Sequence, residues 1–231
     1  MSEVLILKHG SNIPAGHLRT VLAEAETAVT VASLDEGEPI PAGEWGGVVS
    51  LGGVMGAYEE ADHPWMAEEK RFLAATVGEA VPVLGICLGA QLLADALGGR
   101  AYPAPGDAEI GMVTARPTAA GEDDPAARAL AVPLPTWHGD TFDLPPGAVL
   151  LAESDRFPHA YRHGSALAIQ SHPEATPYIV ARWMTDPRAR SQLEEAKIDP
   201  AGFLRSVQDG AAVTERAART LFGGWLEALS G

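Results

Sequence analysis

Hydrophobic positions in the first 110 residues switch between two periods. Solid apolar runs at residues 4–7, 29–33, 48–51 and 81–86 read as buried strands. Between them, residues 16–27 set Leu18, Val21, Leu22 and Ala25 at helical spacing. Residues 63–78 do the same with Trp65, Met66, Phe72 and Leu73 on one side. A further helix over 88–97 follows the fourth strand at once and stops at Gly98-Gly99. This alternation predicts a doubly wound α/β fold: a mostly parallel sheet with helices on both faces.

The pattern changes after Arg100. Pro and Gly become frequent, and short strands are expected at 111–116, 149–152, 160–162 and 166–169, linked strand to strand. They predict an antiparallel extension of the same sheet, with 119–125 as a surface loop. After Pro177 the pattern is helical to the end, most clearly over 214–229. The expected organisation is one domain over 1–185, with a short C-terminal helical tail, 186–231, packed on it.

Charge narrows the choice of partners. With 31 acidic against 16 basic residues, the chain carries a formal −15. Such a field repels phosphate backbones and anionic lipid, so neither nucleic acid nor a membrane is an expected partner. No run reaches the roughly 20 apolar residues of a spanning helix. The start, Met1-Ser2-Glu3 before an apolar tetrad, is too short and too acidic for a signal peptide. A cytoplasmic location is the expectation. A single cysteine excludes an intrachain disulfide and a Cys-rich zinc site, and leaves that thiol as core filler or as chemistry.

Its neighbours favour chemistry. Cys87 stands in Gly85-Ile86-Cys87-Leu88-Gly89, between a strand and a helix. A tight turn of this kind lifts the nucleophile above the sheet's carboxyl edge, and the flanking glycines avoid backbone clashes. The helix N-terminus behind it favours thiolate. Of the seven histidines, only His172 has a carboxylate suitably placed to orient it, in Ser171-His172-Pro173-Glu174. Pro173 biases His172 towards an extended conformation, in which positions two apart project to the same side. Glu174 can then hold one imidazole nitrogen while the other faces the thiol. Acyl transfer also needs donors for a developing oxyanion. The N–H of Leu88 is one, and the turn Gly52-Gly53-Val54-Met55-Gly56 is a source for the second.

Together these residues resemble the class I, triad-type glutamine amidotransferases, across most of 4–185. Gly85-Ile86-Cys87-Leu88-Gly89-Ala90-Gln91 carries the family's Gly-x-Cys-x-Gly-x-Gln pattern. Leu51-Gly52-Gly53, Trp137-His138-Gly139-Asp140 and His172-Pro173-Glu174 follow in the expected order. The chain looks most like stand-alone relatives of the GMP synthase glutaminase domain. The resemblance implies glutamine hydrolysis by Cys87, His172 and Glu174. It also implies oxyanion donors at Gly53 and Leu88, a substrate contact from Gln91, and a substrate wall at Gly139 and Asp140. It calls for no metal or other cofactor. Two departures reshape the pocket: Ser171 stands where many relatives have an aromatic, and Val54 where they have proline.

The reaction expected is hydrolysis of the γ-amide of glutamine, with ammonia passed to a separate synthetase subunit. No nucleotide loop of the synthetase kind follows in the sequence, so a free-standing γ-glutamyl hydrolase or peptidase is the alternative. A binding or regulatory module without catalysis is the third.

Overall fold

The computed structural model describes residues 3–106 and 108–230, so the reading placed on Met1 and Ser2 lies outside the described residues. Strand β1 (Val4–Lys8) shows why its run is solidly apolar: Val4 and Ile6 enter one core cluster, Leu5 and Leu7 the other. Helix α1 (Gly16–Glu24) lays Leu18, Val21 and Leu22 on the first cluster and returns the chain to β2 (Val29–Ser33), parallel to β1. Strand β3 (Gly47–Ser50) pairs on the other side of β1, which creates a topological switch point. Helix α2 (Trp65–Gly78) covers the second face with Met66, Leu73 and Val77. Strand β4 (Val83–Ile86) then leads through Cys87 into α3 (Leu88–Ala96).

The middle third contains β5 (Arg100–Pro103), β6 (Glu109–Val113), β7 (Arg116–Pro117), α4 (Pro125–Ala129), β8 (Leu134–His138) and β9 (Asp140–Asp143). Strands β10 (Val149–Glu153), β11 (Pro158–His163) and β12 (Ala166–Ile169) complete it. Among the described residues, eight strands form one sheet in the order β2-β1-β3-β4-β12-β11-β10-β7. The first five are parallel and the remainder antiparallel. The doubly wound sheet and its antiparallel extension are therefore both present.

The middle third also departs from the pattern. The strand expected over 111–116 is divided, with β6 leaving the main sheet to pair with β8 and β7 joining its edge. Strands β5, β8 and β9 were not foreseen. Their prolines and glycine (Pro103, Pro135, Gly139) mask strand character, yet the two-stranded ribbons β5/β9 and β6/β8 are mostly edge, where such residues are tolerated.

Three helices follow: α5 (Pro177–Trp183), α6 (Pro187–Glu195) and α7 (Pro200–Glu227). Each opens with proline at its first position, after a Thr176, Asp186 or Asp199 side chain that accepts first-turn N–H groups. Helix α7 lies within the stretch expected to be helical, and its amphipathic period is clearest from 214 because Gly202 and Gly210 weaken it in the first half. It buries Ala217, Ala218, Leu221, Phe222 and Trp225 on the same cluster as α1 and α4. A third cluster, including Trp137, Ile179, Trp183, Leu193 and Phe203, joins α5, α6 and the start of α7 to β8. Among the described residues, no helix is long and apolar enough to cross a membrane.

Candidate active site

Cys87 is the single residue between β4 and α3, and it takes φ 52° and ψ −107°, a region that L-residues rarely occupy. Neighbouring backbone enforces this turn. The Cys87 N–H donates to the Ile169 carbonyl at 2.8 Å, and its own carbonyl accepts from Ala90 and Gln91. Only glycine fits at either flank. A Cβ on Gly89 would overlap the Ser50 carbonyl, and one on Gly85 would come within 2.7 Å of the Gly89 oxygen.

His172 reaches the thiol from the segment after β12. Its N–H donates to the Pro135 carbonyl at 2.8 Å, which ties it to β8. Its Nδ1 lies 2.7 Å from Glu174 Oε1, and the ring lines the same cavity as the Cys87 thiol, whose Sγ is 3.9 Å from the Trp137 carbonyl oxygen. The Trp183 ring packs 4.6 Å away, centroid to centroid. Burial disfavours the imidazolium, but Glu174 and Cys87 outweigh it, and the His172 pKa is pushed up to about 10.

The sequence-predicted residues gather around one cavity of about 70 Å3. Cys87, Gly53, Gln91, Gly139, Asp140 and His172 line it, Glu174 stands behind His172, and Leu88 heads α3 beside the thiol. First-turn N–H groups such as that of Leu88 have no acceptor within their own helix. The Gln91 amide donates to Gln170 Oε1 at 3.2 Å and to the Asp140 carbonyl at 3.4 Å. Of the two departures, Val54 lies in the cavity wall, while Ser171 is buried beside His172.

Sequence reasoning missed several groups. Trp183 and Gln192 reach the cavity from α5 and α6, and Trp137 Nε1 donates to Gln192 Oε1 at 2.8 Å. Nothing local to residues 183–192 signals that role. Two further buried His–Glu pairs flank the site. His9 Nε2 lies 2.9 Å from Glu69 Oε2. His138 Nε2 and His159 Nε2 both face Glu109 Oε2, at 3.1 and 2.7 Å. Burial opposes the Glu109 charge, but hydrogen bonds from His138, His159 and Ser154 outweigh it and hold the carboxyl far below its usual range. The ligand atoms of Glu109, His138 and His159 lie within 4.8 Å of one another, close enough to surround a cation. In this structure they are closed on each other by hydrogen bonds, and among the described residues the His159 Nδ1 has no partner to orient it as a metal ligand.

The site thus joins a parallel sheet with a switch point to a Cys at positive φ on its carboxyl edge, beside a buried His–Glu pair. The family profile described as Glutamine amidotransferase class-I matches residues 16–180, and the chain belongs to that family. It is 37% identical over 136 residues to the glutamine-hydrolyzing GMP synthase of Thermomicrobium roseum, 55% of this chain but 23% of that enzyme. The chain thus matches less than a quarter of that GMP synthase's length. The glutamine amidotransferase-like protein YfeJ of Salmonella typhimurium is 31% identical over 75% of this chain and 74% of its own. A glutamine amidotransferase structure from Thermotoga maritima superposes with a TM-score of 0.87 at 29% identity, covering 98% of each chain. One from Methylobacillus flagellatus gives 0.85 at 30%, covering 99% of this chain and 95% of the other.

Proposed function

We propose that this protein hydrolyses the γ-amide of glutamine to glutamate and ammonia through a Cys87 γ-glutamyl thioester. The observation that carries the reading is that Cys87, at its positive-φ turn, shares one cavity with a His172 ring held by Glu174. The thiolate attacks the amide carbon. N–H groups of Leu88 and Gly53 receive the oxyanion, an interaction worth roughly 3–4 kcal/mol per donor. His172 gives its proton to the departing ammonia, then takes one from the water that opens the thioester. Glu174 holds the ring in place and stabilises its charged form. Gln91, Gly139 and Asp140 form the substrate wall, and the ammonia goes to a separate synthetase. Residues 186–231 act within the same unit as 1–185, since α6 supplies Ala189 and Gln192 to the cavity.

The same observation about α6 favours a second reading. A mouth bordered by residues beyond the family match suits a free-standing hydrolase of another small γ-glutamyl compound. Glutamate release from glutamine and from a panel of γ-glutamyl amides and peptides separates the two. Cys87→Ala is expected to lose turnover of every substrate, and turnover persisting in that variant overturns the mechanism.

A further inference from the structure

The oxyanion step assigned above depends on a turn, residues 51–53, whose backbone must be held at one orientation. The turn passes directly over the site. A Cβ on Gly52 would come within 3.1 Å of His172 Cε1 and 3.6 Å of Cys87 Cβ. Beneath it lies a fully buried ion pair. His9 follows β1, Glu69 projects from α2, and both side chains have 0% exposure. His9 Nδ1 reaches the Leu51 carbonyl at 3.0 Å and the Gly52 carbonyl at 3.3 Å, while Nε2 reaches both Glu69 oxygens, at 3.1 and 2.9 Å. Both ring nitrogens therefore face only acceptors, and a ring that donates at both is an imidazolium. Glu69 also accepts from the Ser50 hydroxyl at 2.7 Å, at the last residue of β3. The Leu51 carbonyl accepts in addition from the Gly89 N–H at 3.0 Å, which joins the turn to the helix behind Cys87. Trp65 stacks flat on His9, centroids 5.0 Å apart with 5° between planes.

We infer that His9 and Glu69 are positioning residues: their ion pair fixes the Leu51-Gly52-Gly53 backbone so that its N–H meets the oxyanion. A buried ion pair gives little net stability over apolar side chains of the same size, because desolvation offsets the attraction. What apolar replacements would lack is direction. His9 orients two successive carbonyls, and the peptide planes carrying them set where the following N–H groups point. Glu69 holds His9 and the strand end in one register. Neither residue touches the cavity, so both act through the turn.

The inference rests on the hydrolytic reading, and one experiment separates their failures. Steady-state hydrolysis is compared with the rate at which iodoacetamide alkylates Cys87. Alkylation by iodoacetamide is a direct displacement at carbon with no oxyanion, so it reports the thiol and His172 but not the donors. His9→Phe is expected to lower kcat about tenfold to a hundredfold with KM within about threefold, in the range for a displaced reacting group. Alkylation should stay near the wild-type rate. His9→Gln, whose amide can still donate to Leu51 or Gly52, should recover a large part of kcat. Should His9→Phe fail to fold, the double variant His9→Phe/Glu69→Met removes the unpaired buried carboxylate and carries the same comparison. Wild-type kcat in these variants overturns the inference, as does an alkylation rate that falls in step with kcat, or a His9→Gln no better than His9→Phe. A wild-type protein that alkylates normally but turns over no γ-glutamyl substrate overturns the hydrolytic reading itself.

Discussion

At the scale of single residues, His9, His138 and His172 each have a glutamate partner in or beside the cavity, and their surroundings give them different proton affinities. For His9, burial acts against the charged form, but Glu69 and two carbonyls outweigh it and raise its pKa. For His138, burial prevails over Glu109, with His159 adding to the downward shift. For His172, burial again acts against the charged form, but Glu174 and Cys87 both favour its imidazolium and push its pKa up to about 10. A base whose folded pKa is raised stabilises the fold fully below its unfolded value, and loses that contribution as pH climbs through the folded value. In the proposed mechanism the same proton is handed to ammonia, so kcat/KM should fall on its alkaline side as His172 deprotonates. Removing the Glu174 charge leaves the lowering effect of burial less opposed. Glu174→Gln is therefore expected to move the alkaline limb to lower pH and to reduce kcat. A pH–rate profile checks this, and a limb that stays in place would remove Glu174 from the role. The Cys87 turn and the His172–Glu174 pair were legible in sequence because each is local, one turn or two positions apart. His9 and Glu69 are 60 positions apart and meet only through the fold. A signal for Glu69 was nonetheless present: it falls on the apolar stripe of α2 with Met66 and Leu73, where an acid has no packing reason to stand.

At the scale of elements, the site is a product of two junctions. The β4–α3 junction was readable because the glycines, the solid strand and the following helix all point to the same turn. The β8–β9 junction, which carries His138, Gly139 and Asp140 into the cavity wall, was visible as a motif but not as strands. Its ribbons are short and rich in proline, so neither period emerges. The first half of α7 read as helical but less clearly amphipathic, because it carries glycines that a helix tolerates only when packing compensates. The β4–α3 junction also sets the tolerance of the fold. At Gly89 a methyl group would meet the Ser50 backbone, and backbone cannot rotate away as a side chain can. Gly89→Ala is expected to destabilise by about 1–3 kcal/mol, as overpacking in a filled core does. It should also slow Cys87 alkylation, since α3 must retreat from β3 and take the turn with it. Urea unfolding and the labelling rate measure the two effects. Normal stability with normal labelling would show that the close approach of α3 to β3 is not what sets the turn.

At the scale of the whole molecule, the C-terminal helices give the site a boundary that the α/β sheet does not provide by itself. Helix α6 borders the cavity with Ala189 and Gln192, and it is joined to the opposite rim by Arg188, whose guanidinium pairs with both oxygens of Glu59 at 2.6 and 3.2 Å. Next to Glu59, the Tyr58 hydroxyl donates to Asp140 at 3.1 Å, so a continuous polar edge crosses the mouth. Arg188 is about half exposed, and a pair of this kind adds at most about 1 kcal/mol to stability. Its effect should instead fall on which substrates enter. With the pair intact, α6 is held in place, and under the proposed mechanism a small leaving group such as ammonia should clear the helix while bulkier leaving groups meet it. Arg188→Ala releases that hold while leaving Cys87, His172 and Glu174 in place. The expected result is an unchanged unfolding midpoint and a kcat for glutamine near wild type. The ratio of kcat/KM for glutamine to that for a γ-glutamyl dipeptide should fall several-fold. Competition between the two substrates in one reaction measures that ratio directly. An unaltered ratio would mean that the width of the cavity between Trp137, Trp183 and Gln192, rather than the seating of α6, sets the size of the leaving group.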